Sequence, residues 1–231
     1  AGFFLQSNIK KGDKIAILLP NCPQFLLAWF SLSKMGGVMV PVNPNFSALD
    51  AEYIVNHSEA MVIVHNNETE KLSSQIKSKI QRLNIDTLSL KNIRLPKLPQ
   101  VNDEDIMSIL YTSGTTGFPK GVILPHRSYI IGGESFAFRA NISEKDRMMI
   151  VLPLFHVNAE VYSVMGALVK GSTIILRPKF SVSSFWNDVI KYQVTQFNFL
   201  GIMAHLLLKS PKTQEEKKHA LRIAFGAGLS K

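Results

Sequence analysis

The sequence predicts an α/β fold of layered, mostly parallel sheets with flanking helices, arranged as two lobes. Two observations predict it. Short apolar runs alternate with longer helix-like stretches through all 231 residues. Those runs are apolar at nearly every position rather than every second one, as in strands covered on both faces. Hydrophobic residues at 46% and charged residues at 19% exclude a disordered chain, and Gly 14 with Pro 11 excludes a fibrous one.

Residues 1–9 read as a helix tail, and residues 14–19 as the first buried strand. Asn21 is placed to cap the next helix, with Pro23 in its first turn, where a missing N–H costs little. That helix carries Phe25, Leu26, Leu27, Trp29, Phe30, Leu32 and Met35. It is apolar nearly all round, which predicts a sandwiched position. Gly36 and Gly37 stop it, and residues 38–42 form the second strand. Ser47 and Asp50 stand at capping-box spacing before a helix ending at His57, with Asp in place of the usual Glu. Residues 61–64 are a third strand.

Residues 66–104 are polar and basic, carrying Lys71, Lys77, Lys79, Arg82, Lys91, Arg94 and Lys97. They predict a solvated helix, a short strand at 85–90 and a linker. The lobe boundary is therefore expected near residue 100, with a first lobe over 1–100 and a second over 101–231. In the second lobe, strands are expected at 106–111, 122–124, 147–152, 173–176, 195–199 and 222–225. Helices are expected from about 126 and around 160–169, 181–192 and 202–209. Val182, Phe185, Trp186, Val189 and Ile190 give the clearest helical stripe.

Lys+Arg 26 against Asp+Glu 17 leaves a net charge of +9, which points to a polyanionic partner without naming it. The lone cysteine, Cys22, excludes an intrachain disulfide framework. Pro20, Lys34, Pro153 and Lys170 interrupt the longest apolar stretches, so none is an uninterrupted membrane span of ~20 residues. No signal-peptide order is visible, and the expected setting is cytoplasmic.

Residues 111–121 read Tyr-Thr-Ser-Gly-Thr-Thr-Gly-Phe-Pro-Lys-Gly. Gly114, Gly117 and Gly121 allow positive φ and close approach to a ligand. Successive N–H groups in such a turn form an anion-binding concavity. Thr112, Ser113, Thr115 and Thr116 add four hydroxyls, and Lys120 adds a point charge suited to a β- or γ-phosphate. The loop follows a buried strand, where open α/β sheets hold ligands. It is not a Walker A loop, because Lys120 follows Pro119 and precedes Gly121.

This loop resembles the phosphate-loop signature of the adenylate-forming superfamily, which includes acyl-CoA synthetases, peptide-synthetase adenylation domains and luciferases. The likeness extends to Gly12-Asp13-Lys14, to Lys34 through Gly37, to Pro153-Leu154-Phe155-His156 and to the glycine turn at 225–230. In texture it is most similar to ligases of the crotonobetaine/carnitine–CoA type. The resemblance implies a carboxylic acid as substrate, with ATP, Mg²⁺ and CoA. Acyl-adenylate and pyrophosphate form first, and acyl transfer to CoA follows. It implies that Thr112, Ser113, Gly114, Thr115, Thr116, Gly117 and Lys120 hold the phosphates. Gly226, Ala227 and Gly228 would back the adenine.

By the same resemblance, His156 walls the carboxylate end of the acyl site and, with Lys120, serves the reaction. Amino-acid-activating relatives carry an Asp there to pair the substrate ammonium; His156 disfavours such a substrate. Asn158, Ala159, Glu160, Tyr162, Gly201 and Ile202 are expected to line the acyl pocket. Glu160 with Tyr162 is a candidate host for a cationic headgroup. Gly228 stands where the family commonly has Pro, and Pro125 replaces the usual Thr. The other histidines, His57, His65, His126, His205 and His219, show no metal-site spacing, and no metal ligands are assigned.

The family's Thr-Glu motif, its ribose-binding Asp and its small C-terminal catalytic domain would lie beyond Lys231. The chain is therefore expected to be a fragment that adenylates poorly on its own. A non-catalytic nucleotide-binding remnant is an alternative. A kinase-like NTPase is opposed by the context of Lys120. A nucleic-acid-binding domain is opposed by a basic stretch with no interleaved aromatic residues and no recognition motif. The oligomeric state is open, with a homodimer as one option.

Overall fold

The computed structural model describes residues 4, 8–87, 97–112, 117–212 and 214–228. The expected helix tail at 1–9 lies mostly outside them. The chain divides into two compact units, 1–128 and 129–231.

The first unit is built on a six-stranded sheet in the order β4-β3-β1-β2-β5-β6. Its strands are β1 (Lys14–Leu18), β2 (Val38–Pro41), β3 (Val62–His65), β4 (Gln81–Asn84), β5 (Ile106–Thr112) and β6 (Lys120–Pro125). The first five are parallel, and β6 runs antiparallel to β5. Helices α1 (Pro23–Met35), α2 (Ala48–His57) and α3 (Glu70–Gln75) connect them. Ala16, Val40, Ile54 and Ile63 belong to one buried cluster that joins α2 to the sheet. At roughly 25 cal/mol per Å² of apolar surface, such burial is the main force holding sheet and helix together. Ser47 caps α2 as its spacing predicts, accepting from the Asp50 N–H at 3.2 Å.

Several elements depart from the sequence expectation. Cys22, not Asn21, occupies the cap position of α1, with no side-chain cap bond, while Asn21 is buried. Helix α1 buries one stripe, Phe25, Ala28, Trp29, Leu32 and Met35, and leaves Leu27 64% exposed. Apolar residues outnumbered the covered face, so composition overstated its burial. The strand expected at 85–90 lies at Gln81–Asn84, where Arg82 and Leu83 pair with Ile63 and Val64. Residues 88–90 fall outside the described residues. Strands β5 and β6 join the first sheet, so the first compact unit runs past residue 100, where the sequence reading put its boundary, to Ser128. Hydrogen bonding to β2 recruits β5 across the polar linker, a partnership that local composition does not encode.

The second unit holds a four-stranded parallel sheet in the order β10-β9-β7-β8. Its strands are β7 (Arg147–Ile150), β8 (Thr173–Leu176), β9 (Gln196–Leu200) and β10 (Ile223–Ala227). Helix α4 (His126–Arg139) leads into this unit. A π-helical segment (Asn158–Val164) continues into α5 (Met165–Leu168); α6 (Val182–Lys191) and α7 (Gly201–Lys209) follow.

Asp146 fastens the amino edge of this sheet. It accepts from Ser143 N–H at 2.8 Å, Thr195 Oγ1 at 2.7 Å and an Arg222 guanidinium nitrogen at 2.9 Å. Burial works against its charge, but these bonds prevail and hold its carboxyl below the usual range. Among the described residues, no helix is long and apolar enough to cross a membrane.

Candidate functional site

The sequence-predicted residues form two groups, each at the carboxyl edge of its own sheet. That is where open α/β sheets place ligands, because the connections leaving the strands diverge there.

In the first unit, β5 and β6 form a hairpin whose connection is the Gly/Thr loop. Tyr111 pairs with Gly121, and Thr112 pairs with Lys120. Both Thr112 and Lys120 are exposed. Gly117 has φ +131, a region other residues rarely enter, and among the described residues nothing would lie within 4 Å of a Cβ there. Ser113, Gly114, Thr115 and Thr116 lie outside the described residues. Gly121 is required by packing: its Cβ would lie 2.8 Å from Ile109 Cγ2 and 3.2 Å from Tyr111 Cζ.

In the second unit, the run after β7 turns at Pro153, whose carbonyl accepts from the His156 N–H at 3.1 Å. The His156 carbonyl then accepts from the Ala159 and Glu160 N–H groups at 3.0 and 3.2 Å, starting the π-helical segment. The imidazole stands at the surface, 4.5 Å from the Phe155 ring, and partial desolvation holds its pKa below the ordinary value. A neutral ring is thereby favoured near neutral pH.

The π-helical turn sorts its residues sharply. Ala159 and Glu160 are fully buried; Asn158 is half-buried, and Tyr162 is exposed at 36%. Asn198 of β9 donates to Asn158 Oδ1 and to Ser163 Oγ, both at 3.0 Å, and so ties the turn to the sheet. Glu160 Oε2 accepts from the Tyr129 hydroxyl of α4, and Oε1 has no hydrogen-bond partner among the described residues. Desolvation raises the Glu160 pKa to about 8, with the Tyr129 bond opposing that rise. Tyr162 points elsewhere and stacks on Phe136 at 5.5 Å. Glu160 is turned into the core and is predominantly neutral near pH 7, so it does not share an exposed surface with Tyr162. The joint cation host expected from sequence is not formed in this arrangement.

Helix α4 approaches this turn closely through two glycines. A Cβ on Gly132 would lie 2.3 Å from Val161 Cγ1, and one on Gly133 would lie 3.0 Å from the Met165 carbonyl carbon. Backbone cannot yield as a side chain does. Gly133→Val is expected to destabilise the protein by about 1–3 kcal/mol through overpacking. A thermal midpoint equal to that of the parent protein would contradict this packing.

The remaining residues meet at the ends of β9 and β10. Gly226 pairs with Phe199 and Ala227 with Leu200, which brings Gly226, Ala227 and Gly228 alongside Gly201. Gly228 has φ +78, and its Cβ would lie 3.9 Å from the Gly201 nitrogen. Gly201 is buried, and Ile202 is 60% exposed. Gly226 faces the Phe199 ring, whose carbons would lie 2.7 Å from a Cβ. Tyr129, Asn198 and the aromatic residues around the hairpin were missed by sequence reasoning. Their partners lie tens of residues away, so no local pattern marks them.

The profile of the AMP-binding enzyme family matches residues 1–231. The crotonobetaine/carnitine–CoA ligase of Citrobacter koseri is 32% identical, covering 100% of this chain and 48% of the relative. A ligase of the same name from Escherichia coli is 30% identical over the same shares. The chain thus spans about half the length of the curated relatives it matches. Among solved structures, the inhibitor-bound N-terminal domain of FACL13 from Mycobacterium tuberculosis has a TM-score of 0.90. It is 25% identical, covering 97% of this chain and 59% of that one. The o-succinylbenzoate CoA synthetase MenE from Bacillus subtilis, in complex with the acyl-adenylate intermediate OSB-AMP, has a TM-score of 0.86. It is 26% identical, covering 97% of this chain and 58% of that one.

Proposed function

The chain belongs to the AMP-binding enzyme family, and on that premise we propose that it is part of an ATP-dependent acid–CoA ligase. The observation that carries this reading is the β5–β6 hairpin. It pairs Lys120 with Thr112 at the carboxyl edge of a parallel sheet, with the Gly/Thr loop joining them.

A carboxylate oxygen attacks the α-phosphorus of ATP, and pyrophosphate leaves with the electron pair of the broken P–O bond. The acyl-adenylate then meets CoA; the thiol sulfur attacks the acyl carbon, and AMP departs. The first step needs alignment and neutralisation of charge on the departing pyrophosphate more than covalent help. Thr112, Ser113, Gly114, Thr115, Thr116, Gly117 and Lys120 fit that work as donors to the β- and γ-phosphates. Magnesium enters as part of the nucleotide substrate.

In this reading Gly226, Ala227 and Gly228 back the adenine, a run with no side chain larger than a methyl. A neutral His156 at the head of the π-helical turn suits the wall beside the reacting carboxylate. Asn158, Tyr162, Gly201 and Ile202 supply the acyl-site lining in this reading, with Ala159 and Glu160 behind it. A cytoplasmic setting, where ATP and CoA are abundant, fits these substrates.

The test is product analysis with the full-length protein and a panel containing crotonobetaine, carnitine, o-succinylbenzoate and straight-chain fatty acids. AMP and pyrophosphate are expected in equal amounts with at least one acid, followed by its CoA thioester. Formation of ADP and phosphate, or no acid-dependent pyrophosphate release from any member, would overturn the assignment.

A further inference from the structure

Helix α2 holds both ends of the phosphate hairpin from one side. Tyr53 and His57 stand four residues apart, on one helical face, and their rings stack 5.2 Å apart at 29°. The Tyr53 hydroxyl donates to the Pro119 carbonyl at 3.2 Å, and its ring stacks on Phe118 at 5.0 Å and 22°. His57 Nδ1 lies 2.7 Å from the Tyr111 hydroxyl, and the two rings meet edge to face at 5.7 Å and 83°.

One face of one helix therefore holds the residue just before Thr112 and the two residues just before Lys120. Tyr111 also lies across Gly121, the position that pairs with it in the hairpin. Burial pushes the Tyr111 phenol up, and the neighbouring Tyr53 adds to the shift. The phenol thus stays protonated, and it shares a hydrogen bond with His57 Nδ1. Stacked and edge-to-face aromatic contacts add to the area they bury, and together they favour one placement of the hairpin base.

We propose that Tyr53 and His57 are positioning residues for nucleotide binding: they fix the two strand ends of the hairpin so that Thr112 and Lys120 are presented to ATP as a preformed pair. Neither side chain needs to touch the nucleotide. Ordering the hairpin before ATP arrives removes that entropic cost from binding. The inference rests on the reading that this loop receives the phosphates.

The experiment measures KM for magnesium ATP, KM for the acid, and the thermal midpoint in the full-length protein. His57→Ala is expected to raise KM for ATP about tenfold while KM for the acid stays within about twofold, because only the nucleotide side loses preorganisation. Tyr53→Phe keeps both stacks and loses one hydrogen bond to Pro119, so a rise of about threefold is expected. His57→Gln offers Tyr111 a side-chain amide in place of the ring nitrogen and should recover most of the loss in His57→Ala.

If the variants lower the thermal midpoint but leave both KM values unchanged, or raise both equally, the positioning role is overturned. Lys120→Ala is run in parallel. An unchanged KM and kcat in that variant would overturn the phosphate reading itself. A loss in Lys120→Ala with no change in Tyr53→Phe or His57→Ala would overturn the positioning role alone.

Discussion

Lys120→Ala is expected to lower kcat for pyrophosphate release by about 10²–10³-fold in the full-length protein, the range seen when a preorganised charge-stabilising group is removed. Lys120 opens β6 opposite Thr112, so strand pairing fixes the backbone that carries its charge. Negative charge grows on pyrophosphate as the P–O bond breaks, and an ammonium there is worth more in the transition state than in the ground state. The larger part of the loss should therefore fall on kcat rather than on KM for ATP. Lys120→Arg should recover only part of it, because a planar guanidinium does not place its charge where a compact ammonium does. A kcat within threefold of the parent enzyme would remove Lys120 from the chemistry and the phosphate loop from the proposed function.

Glu160→Gln is expected to flatten the fall of stability with rising pH. In the folded protein the Glu160 carboxyl titrates at about 8, against an ordinary 4.5. Below about pH 4.5 both folded and unfolded chains hold the proton, and the group imposes no penalty. Between 4.5 and about 8 the unfolded chain has released the proton and the native chain retains it. Stability therefore falls through that window, by up to roughly 1.4 kcal/mol per pH unit, and levels off above it.

A glutamine keeps the bond from the Tyr129 hydroxyl and cannot ionise. Thermal midpoints of the two full-length proteins should nearly coincide at pH 5 and separate progressively by pH 8, with Glu160→Gln the more stable. Other groups titrate alike in both proteins, so the difference isolates this one. Parallel curves from pH 5 to pH 8 would mean that Glu160 ionises freely in the folded state, contrary to its complete burial.

Much of the architecture was legible locally. The strand at β1, the Ser47 cap, the amphipathic stripe of α6 and the return strand after the Gly/Thr loop each follow from neighbours a few residues apart. The phosphate-loop candidate was legible for the same reason: a turn needing positive φ, hydroxyls and a cation is written in consecutive residues. Where partners are remote, the reading failed or was silent. Glu160 looked like a pocket residue able to meet a cation, because sequence shows its charge but not the Tyr129 hydroxyl 31 positions away or the core around it. The π-helical backbone that turns Glu160 inward and Tyr162 outward has no periodic signature of its own.

The sequence by itself determined the alternation of strands and helices, the parallel character of the sheets and the loop that would cradle phosphates, because each depends on short-range sterics and hydrophobic period. Tertiary structure alone decided that β5 and β6 join the first sheet, that the π-helical turn hides one carboxyl, and that α2 holds the hairpin base. Those outcomes depend on which distant surfaces exclude water together, and burial is a property of the assembled fold rather than of any window along the chain.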